Sequence, residues 1–168
     1  PDITYSFYPV WCEMLHIPFE TIPVDDSFNI NAADYKRPNG GVVIANPNAP
    51  TSIGRGLDFM REILDANPDS VVISDEAYVD FGGTSSVPLL KEYENLVVVQ
   101  TFSKSRSMAG MRIGYALGNK EIISALFAAK DSYNSYPLDS VAIAAGVASV
   151  EDEEYFRATV QKVVATRR

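Results

Sequence analysis

A single cysteine, a single histidine and a single tryptophan stand among 168 residues. One cysteine cannot build an internal disulfide framework, and one cysteine with one histidine is too little for a zinc site. Long apolar runs are also missing, so nothing in the sequence spans a membrane. Basic stripes are absent as well: 14 Lys and Arg face 22 Asp and Glu, a formal net charge of -8, and no cations interleaved with aromatics override that repulsion toward phosphate backbones. The expectation is therefore no nucleic acid and no membrane as partner. The opening Pro1-Asp2-Ile3-Thr4-Tyr5 has neither a basic region nor an apolar signal core, which makes the cytoplasm the expected setting. With 46% apolar residues, the chain can bury one core and is too short for two, so residues 1–168 are read as one domain.

What is present is a set of short apolar strands that end on polar residues. Val42-Val43-Ile44-Ala45 closes on Asn46-Pro47, and Val71-Val72-Ile73-Ser74 closes on Asp75-Glu76-Ala77-Tyr78. Leu96-Val97-Val98-Val99-Gln100 closes on Thr101-Phe102-Ser103-Lys104, with Arg112 beyond a Ser/Met/Gly-rich segment. Apolar runs rich in β-branched residues read as buried parallel strands, and open α/β sheets bind ligands at the carboxyl edge of such strands. The segments between them agree. Arg55 to Ala66 has a helical period and stops at Asn67-Pro68, and a short helix is expected from Val87 to Tyr93. Repeated strand-helix-strand units imply right-handed crossovers and a sheet covered on both faces. Met111 to Gly118 reads as a further strand. Thr101 to Gly110 leaves little room for a crossover helix, so that strand is expected to run antiparallel.

Other elements are read locally. Pro9 to Leu15 suits a short helix, and Ile17 to Pro23 an extended edge strand with two prolines. Asp25-Asp26-Ser27 is a turn, and Asn31 to Tyr35 a brief helix. Helices are expected from Asn119 past Phe127, from Leu138 to Val150 and from Glu153 to Arg168. Glu151-Asp152-Glu153-Glu154 sits where carboxylates favour a helix start. The fold class is thus α/β, a three-layer α/β/α arrangement with a mostly parallel sheet and one antiparallel strand.

The polar strand ends supply every group that a pyridoxal 5'-phosphate site requires. Lys104 offers a Schiff-base amine, and Asp75 a carboxylate for the pyridine nitrogen. Asn46 and Tyr78 can donate to the phenolate oxygen, while Thr101, Ser103 and Arg112 can hold the phosphate by charge-assisted hydrogen bonds. Asn46-Pro47-Asn48-Ala49-Pro50-Thr51, Asp75-Glu76-Ala77-Tyr78, and Ser103-Lys104 with Ala109-Gly110-Met111-Arg112-Ile113-Gly114-Tyr115 together resemble the successive signatures of fold-type I aminotransferases. Thr4-Tyr5-Ser6-Phe7-Tyr8-Pro9 and Tyr133-Asn134-Ser135-Tyr136 make the chain most similar to the histidinol-phosphate aminotransferase branch.

The resemblance implies that Tyr5 stacks on the cofactor ring and that Lys104 carries the cofactor and shuttles the proton. It implies a small-molecule amino donor and a 2-oxo acid as substrates, specifically L-histidinol phosphate and 2-oxoglutarate in histidine biosynthesis, and a homodimer when intact. It covers part of the large cofactor-binding domain, with an N-terminal segment and a C-terminal small domain absent, so the isolated chain is expected to be inactive. The family usually has Thr-Gly after its Asn-Pro motif, whereas Thr51 is followed by Ser52; relatives are often Ala/Phe-rich where this chain has Ser105-Arg106-Ser107-Met108. Aromatic aminotransferases and a phosphothreonine decarboxylase share most of these motifs, and a nucleotide-hydrolase fragment using Asp75-Glu76 is the reading of a different class. Glu76 itself is expected to be structural, His16 to be packed, and Arg106 to be either solvated or in the phosphate pocket.

Overall fold

A computed structural model describes residues 1–167. Four strands form one sheet in the order β1 (Gly41–Ala45), β2 (Val71–Asp75), β3 (Leu96–Thr101) and β4 (Gly114–Gly118). The first three are parallel and the last is antiparallel to β3, as the short Thr101–Gly110 connection requires. Five helices accompany them: α1 (Phe7–Met14), α2 (Leu57–Ala66), α3 (Lys120–Tyr133), α4 (Ser140–Glu151) and α5 (Glu153–Thr166).

Strand order matches chain order from β1 to β3, so both crossovers step the same way across the sheet. Crossovers of one hand that step one way must lie on one face. Accordingly α2 and the 3₁₀ segment Val87–Lys91 share a core with the same strand positions: Met60, Ile63, Leu64 and Leu89 pack with Val42, Ile44, Val72, Leu96 and Val98, all 6% exposed or less. The opposite face is covered more thinly. A Cβ added at Gly118 would lie 3.6 Å from both Ile123 and Val97, which puts the start of α3 on that side, yet Val43, Ile73 and Val99 are only partly buried. Helices therefore stand on both faces, unequally.

Thin cover has a measurable consequence. The chain exposes 10838 Å², against about 8,200 Å² for a compact monomer of its mass. No residue of α1, α3 or α5 is fully buried, and Trp11, Met14, Phe127 and Val147 are all exposed.

Several local expectations are corrected. Ile17–Pro23 forms no strand. The proline nitrogens at 18 and 23 cannot donate, and the sheet does not extend past β1 among the described residues. His16 is exposed rather than packed and adopts φ 55° just past α1. Its N–H bonds the Glu13 carbonyl at 3.1 Å and the Ile17 N–H bonds that of Cys12 at 2.8 Å, a Schellman cap with histidine in the left-handed position. The strand expected from Met111 starts only at Gly114, because Ala109–Met111 makes a 3₁₀ turn. The acidic run caps as expected: Asp152 accepts the Tyr155 N–H, with Glu153 and Glu154 in the first turn of α5.

Candidate active site

Register alone brings the polar strand ends together. Ala45 pairs with Asp75, Asp75 with Val99, and Thr101 with Gly114. Asn46, Asp75–Tyr78, Thr101–Lys104 and Arg112 therefore emerge side by side at one edge of the sheet. At the other edge a cleft of about 460 Å³ runs past Pro68, Ser70, Asn95 and Asn119. Among the described residues no cluster of His, Cys, Asp and Glu could hold a metal there or elsewhere.

Asn46 is 2% exposed. Its side-chain oxygen accepts the Arg55 N–H at 2.7 Å and its amide donates to the Arg55 carbonyl at 3.0 Å. That pair closes the Pro47–Gly54 loop and leaves one amide hydrogen without a partner among the described residues. Asn48, equally buried, donates to the Ile3 carbonyl at 2.8 Å and accepts the Thr4 hydroxyl at 2.7 Å, which pins the segment that carries Tyr5. Neither Thr4 nor Asn48 is singled out by the sequence, and only their place inside the quoted motifs could have flagged them.

Asp75 accepts the Ala77 N–H at 3.1 Å on Oδ1 and the Tyr8 hydroxyl at 2.6 Å on Oδ2. Among the described residues no cation pairs with it. Burial first, then the Asp75 charge, then the hydrogen bond itself hold the Tyr8 phenol well above its ordinary value, so it keeps its proton. Tyr5 packs edge-on against Tyr8 with ring centroids 5.5 Å apart and remains 45% exposed. An aromatic face is thus available one ring away from the carboxylate.

Across the edge, the Lys104 ammonium lies 5.1 Å from the centre of the Tyr78 ring. Lys104 is exposed and makes no ion pair among the described residues. Arg112 is held at φ 56°, a left-handed conformation costly for a residue with a Cβ. Among the described residues its guanidinium gives one hydrogen bond, to the Ala109 carbonyl at 3.0 Å, and the residue is exposed.

Local bonding bears on two expectations here. The Thr101 hydroxyl donates to the Ile113 carbonyl at 3.2 Å and accepts the Ser103 N–H at 3.1 Å. An anion at this edge would compete with that carbonyl for the Thr101 proton, whereas the Ser103 hydroxyl stays unbonded among the described residues. Arg106 is neither solvated nor in an anion pocket. Its guanidinium lies 4.1 Å from the Phe156 ring centre and 5.3 Å from that of Phe102, and it donates to the Ser149 carbonyl at 2.6 Å, tying the lysine turn to α4 and α5. Glu76 is structural: it is 1% exposed and accepts from Ser85, Ser86 and Gln100. A metal-binding role with Asp75 has no support in that geometry.

Among the described residues, a carboxylate held only by neutral donors, an amine without an ion pair, an uncommitted amide hydrogen and a left-handed arginine share one edge of a mostly parallel sheet. The whole chain, residues 1–168, matches the model of the class I and II aminotransferases, and it belongs to that family. Within it, the chain is 56% identical over 167 residues to the histidinol-phosphate aminotransferase of Lactococcus lactis, covering 99% of this chain and 46% of that protein. The crystal structure of the histidinol-phosphate aminotransferase from Clostridium acetobutylicum superposes with a TM-score of 0.84 at 23% identity, over 94% of this chain and 49% of that one. The enzyme of that name from Sinorhizobium meliloti, solved in complex with pyridoxal-5'-phosphate, gives 0.79 at 22% identity, over 98% and 46%. The chain thus spans about half the length of the relatives it matches.

Proposed function

We propose that the intact protein is a pyridoxal-phosphate-dependent aminotransferase that moves an amino group between L-histidinol phosphate and 2-oxoglutarate in histidine biosynthesis. The observation that carries this reading is Asp75: a partly buried carboxylate whose charge is left unpaired by the described residues, beside a strand end that presents an unpaired lysine. Such a donor set fits a flat cation-bearing ring with an aldehyde and a phosphate. When bound, the cofactor supplies an electron sink that lets the carbon beside the substrate nitrogen release a proton. Asp75 holds the proton on the ring nitrogen. Asn46 and Tyr78 donate to the phenolate oxygen, Tyr5 covers the ring, and Thr101, Ser103 and Arg112 bind the phosphate. Lys104 would anchor the cofactor through its Nζ and, as a free amine, would take and return the proton at the carbon beside the substrate nitrogen.

The substrate assignment is supported by the 56% identity to a histidinol-phosphate aminotransferase. Residues 1–168 form part of the large cofactor-binding domain in this reading, with further segments on either side completing the enzyme. The excess exposed surface and the share of each relative that is matched both support it. The intact protein is a cytoplasmic homodimer, with Tyr133 and Tyr136, 84% and 92% exposed, among the residues available to an interface. The isolated chain does not turn over. Borohydride reduction of the full-length protein loaded with pyridoxal phosphate tests the site: the mapped modification falls on Lys104 and disappears in Lys104→Arg. Labelling of a different lysine, or turnover by residues 1–168 alone, contradicts the proposal.

A further inference from the structure

We propose that Tyr8 is a positioning residue for Asp75: its hydroxyl fixes the carboxylate as an oriented anion for the ring nitrogen of the cofactor. This rests on the cofactor reading above and names a residue that the sequence motifs left without a role.

Asp75 is held at both of its oxygens. Oδ1 is fixed by the Ala77 N–H and Oδ2 by the Tyr8 hydroxyl, 2.6 Å away and 67 residues distant in sequence. A lysine or arginine at Oδ2 would satisfy the charge and compete with any cationic ligand. A phenol stabilises the anion without neutralising it. The pairing works only while the phenol keeps its proton, since a phenolate beside the carboxylate would repel it, and the surroundings of Tyr8 disfavour ionisation.

Placement supports a functional bond over a merely cohesive one. Tyr8 lies in the first turn of α1, a helix with no fully buried residue. Its ring packs between Tyr5, at 5.5 Å, and Trp11, at 6.1 Å. One hydrogen bond therefore links the proposed ring-covering aromatic segment to the proposed ring-nitrogen partner. It sets both walls of the crevice together.

Deleting the hydroxyl removes a hydrogen bond to a charge, worth about tenfold or more in any equilibrium that depends on the oriented anion. A carboxylate without that donor is also the stronger base. With the cofactor bound it would draw the proton away from the ring nitrogen, the ring would withdraw fewer electrons, and the attached Lys104 Nζ would become more basic.

The test uses full-length protein, wild type and Tyr8→Phe, with pyridoxal phosphate as the probe. The expected results are a dissociation constant raised about tenfold and a pH midpoint of the bound cofactor's visible absorbance moved upward by roughly 0.5–1 unit. The melting temperature of the cofactor-free protein should stay close to that of wild type, because the change removes one oxygen and leaves Asp75 reachable by water. In an Asp75→Asn background the same Tyr8→Phe change should leave the midpoint where it is, which a purely structural tyrosine would not reproduce. An unchanged affinity and midpoint in Tyr8→Phe overturns the role of Tyr8, as does an equal shift in the Asp75→Asn background. Wild-type protein that develops no visible band with pyridoxal phosphate overturns instead the cofactor reading, and the two failures are told apart by which protein shows them.

Discussion

Glu76→Ala is the substitution whose cost can be traced atom by atom. The Glu76 side chain is 1% exposed and has no cation beside it among the described residues. Its Oε1 accepts the Ser86 N–H at 2.5 Å and, weakly, the Ser74 hydroxyl at 3.4 Å; its Oε2 accepts the Ser85 hydroxyl at 2.6 Å and the Gln100 amide at 2.8 Å. Hydrogen bonds to a charge contribute about 1.5–3 kcal/mol each, and such values do not add within one network. Burying an anion costs several kcal/mol in the other direction, and alanine removes that penalty along with the bonds. What alanine cannot repair is the Ser86 N–H. The hydroxyls and the amide can rotate toward one another or toward water, but a backbone donor is fixed, and leaving it orphaned costs about 1–3 kcal/mol. Adding the void, the net loss should be about 2–4 kcal/mol. Urea unfolding monitored by circular dichroism measures it as a lower midpoint at constant slope. Glu76→Gln keeps Oε1 as an acceptor and should cost less than half as much. A loss under about 0.5 kcal/mol for Glu76→Ala would refute the claim that this network holds the segment after β2 against β3.

Three further outcomes are expected. Tyr35 is 6% exposed with a hydroxyl that finds no partner among the described residues, so Tyr35→Phe should leave stability unchanged or raise it by up to about 1 kcal/mol; a clear drop in melting temperature would disprove this. Tyr8 and Tyr35 both keep their protons in the fold above the ordinary tyrosine value of 10.0. The folded state then binds more protons than the unfolded chain only at alkaline pH. These two groups contribute no pH dependence below about pH 10 and a loss above it, by up to roughly 1.4 kcal/mol per pH unit for each group, and the double replacement Tyr8→Phe/Tyr35→Phe should reduce the alkaline slope in urea midpoints taken from about pH 8 to 11, leaving the share of Tyr93 and Tyr115, which are also raised. Gly83→Ala would place a Cβ 2.9 Å from Pro47 Cδ and Cγ and 3.1 Å from Val79 Cα. It should cost about 1–3 kcal/mol and, because Pro47 is bonded to Asn46, weaken pyridoxal phosphate binding in a fluorescence titration.

The sheet was legible because its signal is redundant: four apolar runs of five or six residues, most of them closed by polar residues, leave few alternatives. The sense of β4 could be read from the shortness of one connection. Side-chain commitments were harder to read. Thr101 and Arg106 have the right chemistry for an anion site, and nothing in their spacing reveals that a backbone carbonyl competes for the first and two phenylalanines flank the second. Such competition is settled by neighbours far along the chain, Ile113 in one case and Phe156 in the other. Ile17–Pro23 failed for a related reason. An extended pattern predicts a strand only if a partner edge exists, and pairing is not a property of the segment itself. Left-handed residues without glycine, such as His16 and Arg112, carry no local signature at all.

The one antiparallel strand is what completes the candidate site. With β1, β2 and β3 parallel, their carboxyl ends supply Asn46, Asp75 and the Lys104 turn, but each strand delivers only the residues directly after its own end. A fourth parallel strand would put its own preceding residues at the far edge of the sheet. Because β4 runs the other way, the residues before it lie at the near edge, and pairing of Gly114 with Thr101 brings Arg112 to the turn that carries Lys104. The short connection from Thr101 then has to reverse within a dozen residues. It does so with a 3₁₀ turn at Ala109–Met111 and a left-handed Arg112. Backbone cost at that arginine is thus the local consequence of the topology that brings Arg112 to the same sheet edge as Lys104. Replacing the arginine by glycine should relieve the strain while removing the proposed anion contact, so stability read as a urea midpoint and affinity read by pyridoxal phosphate titration should move in opposite directions.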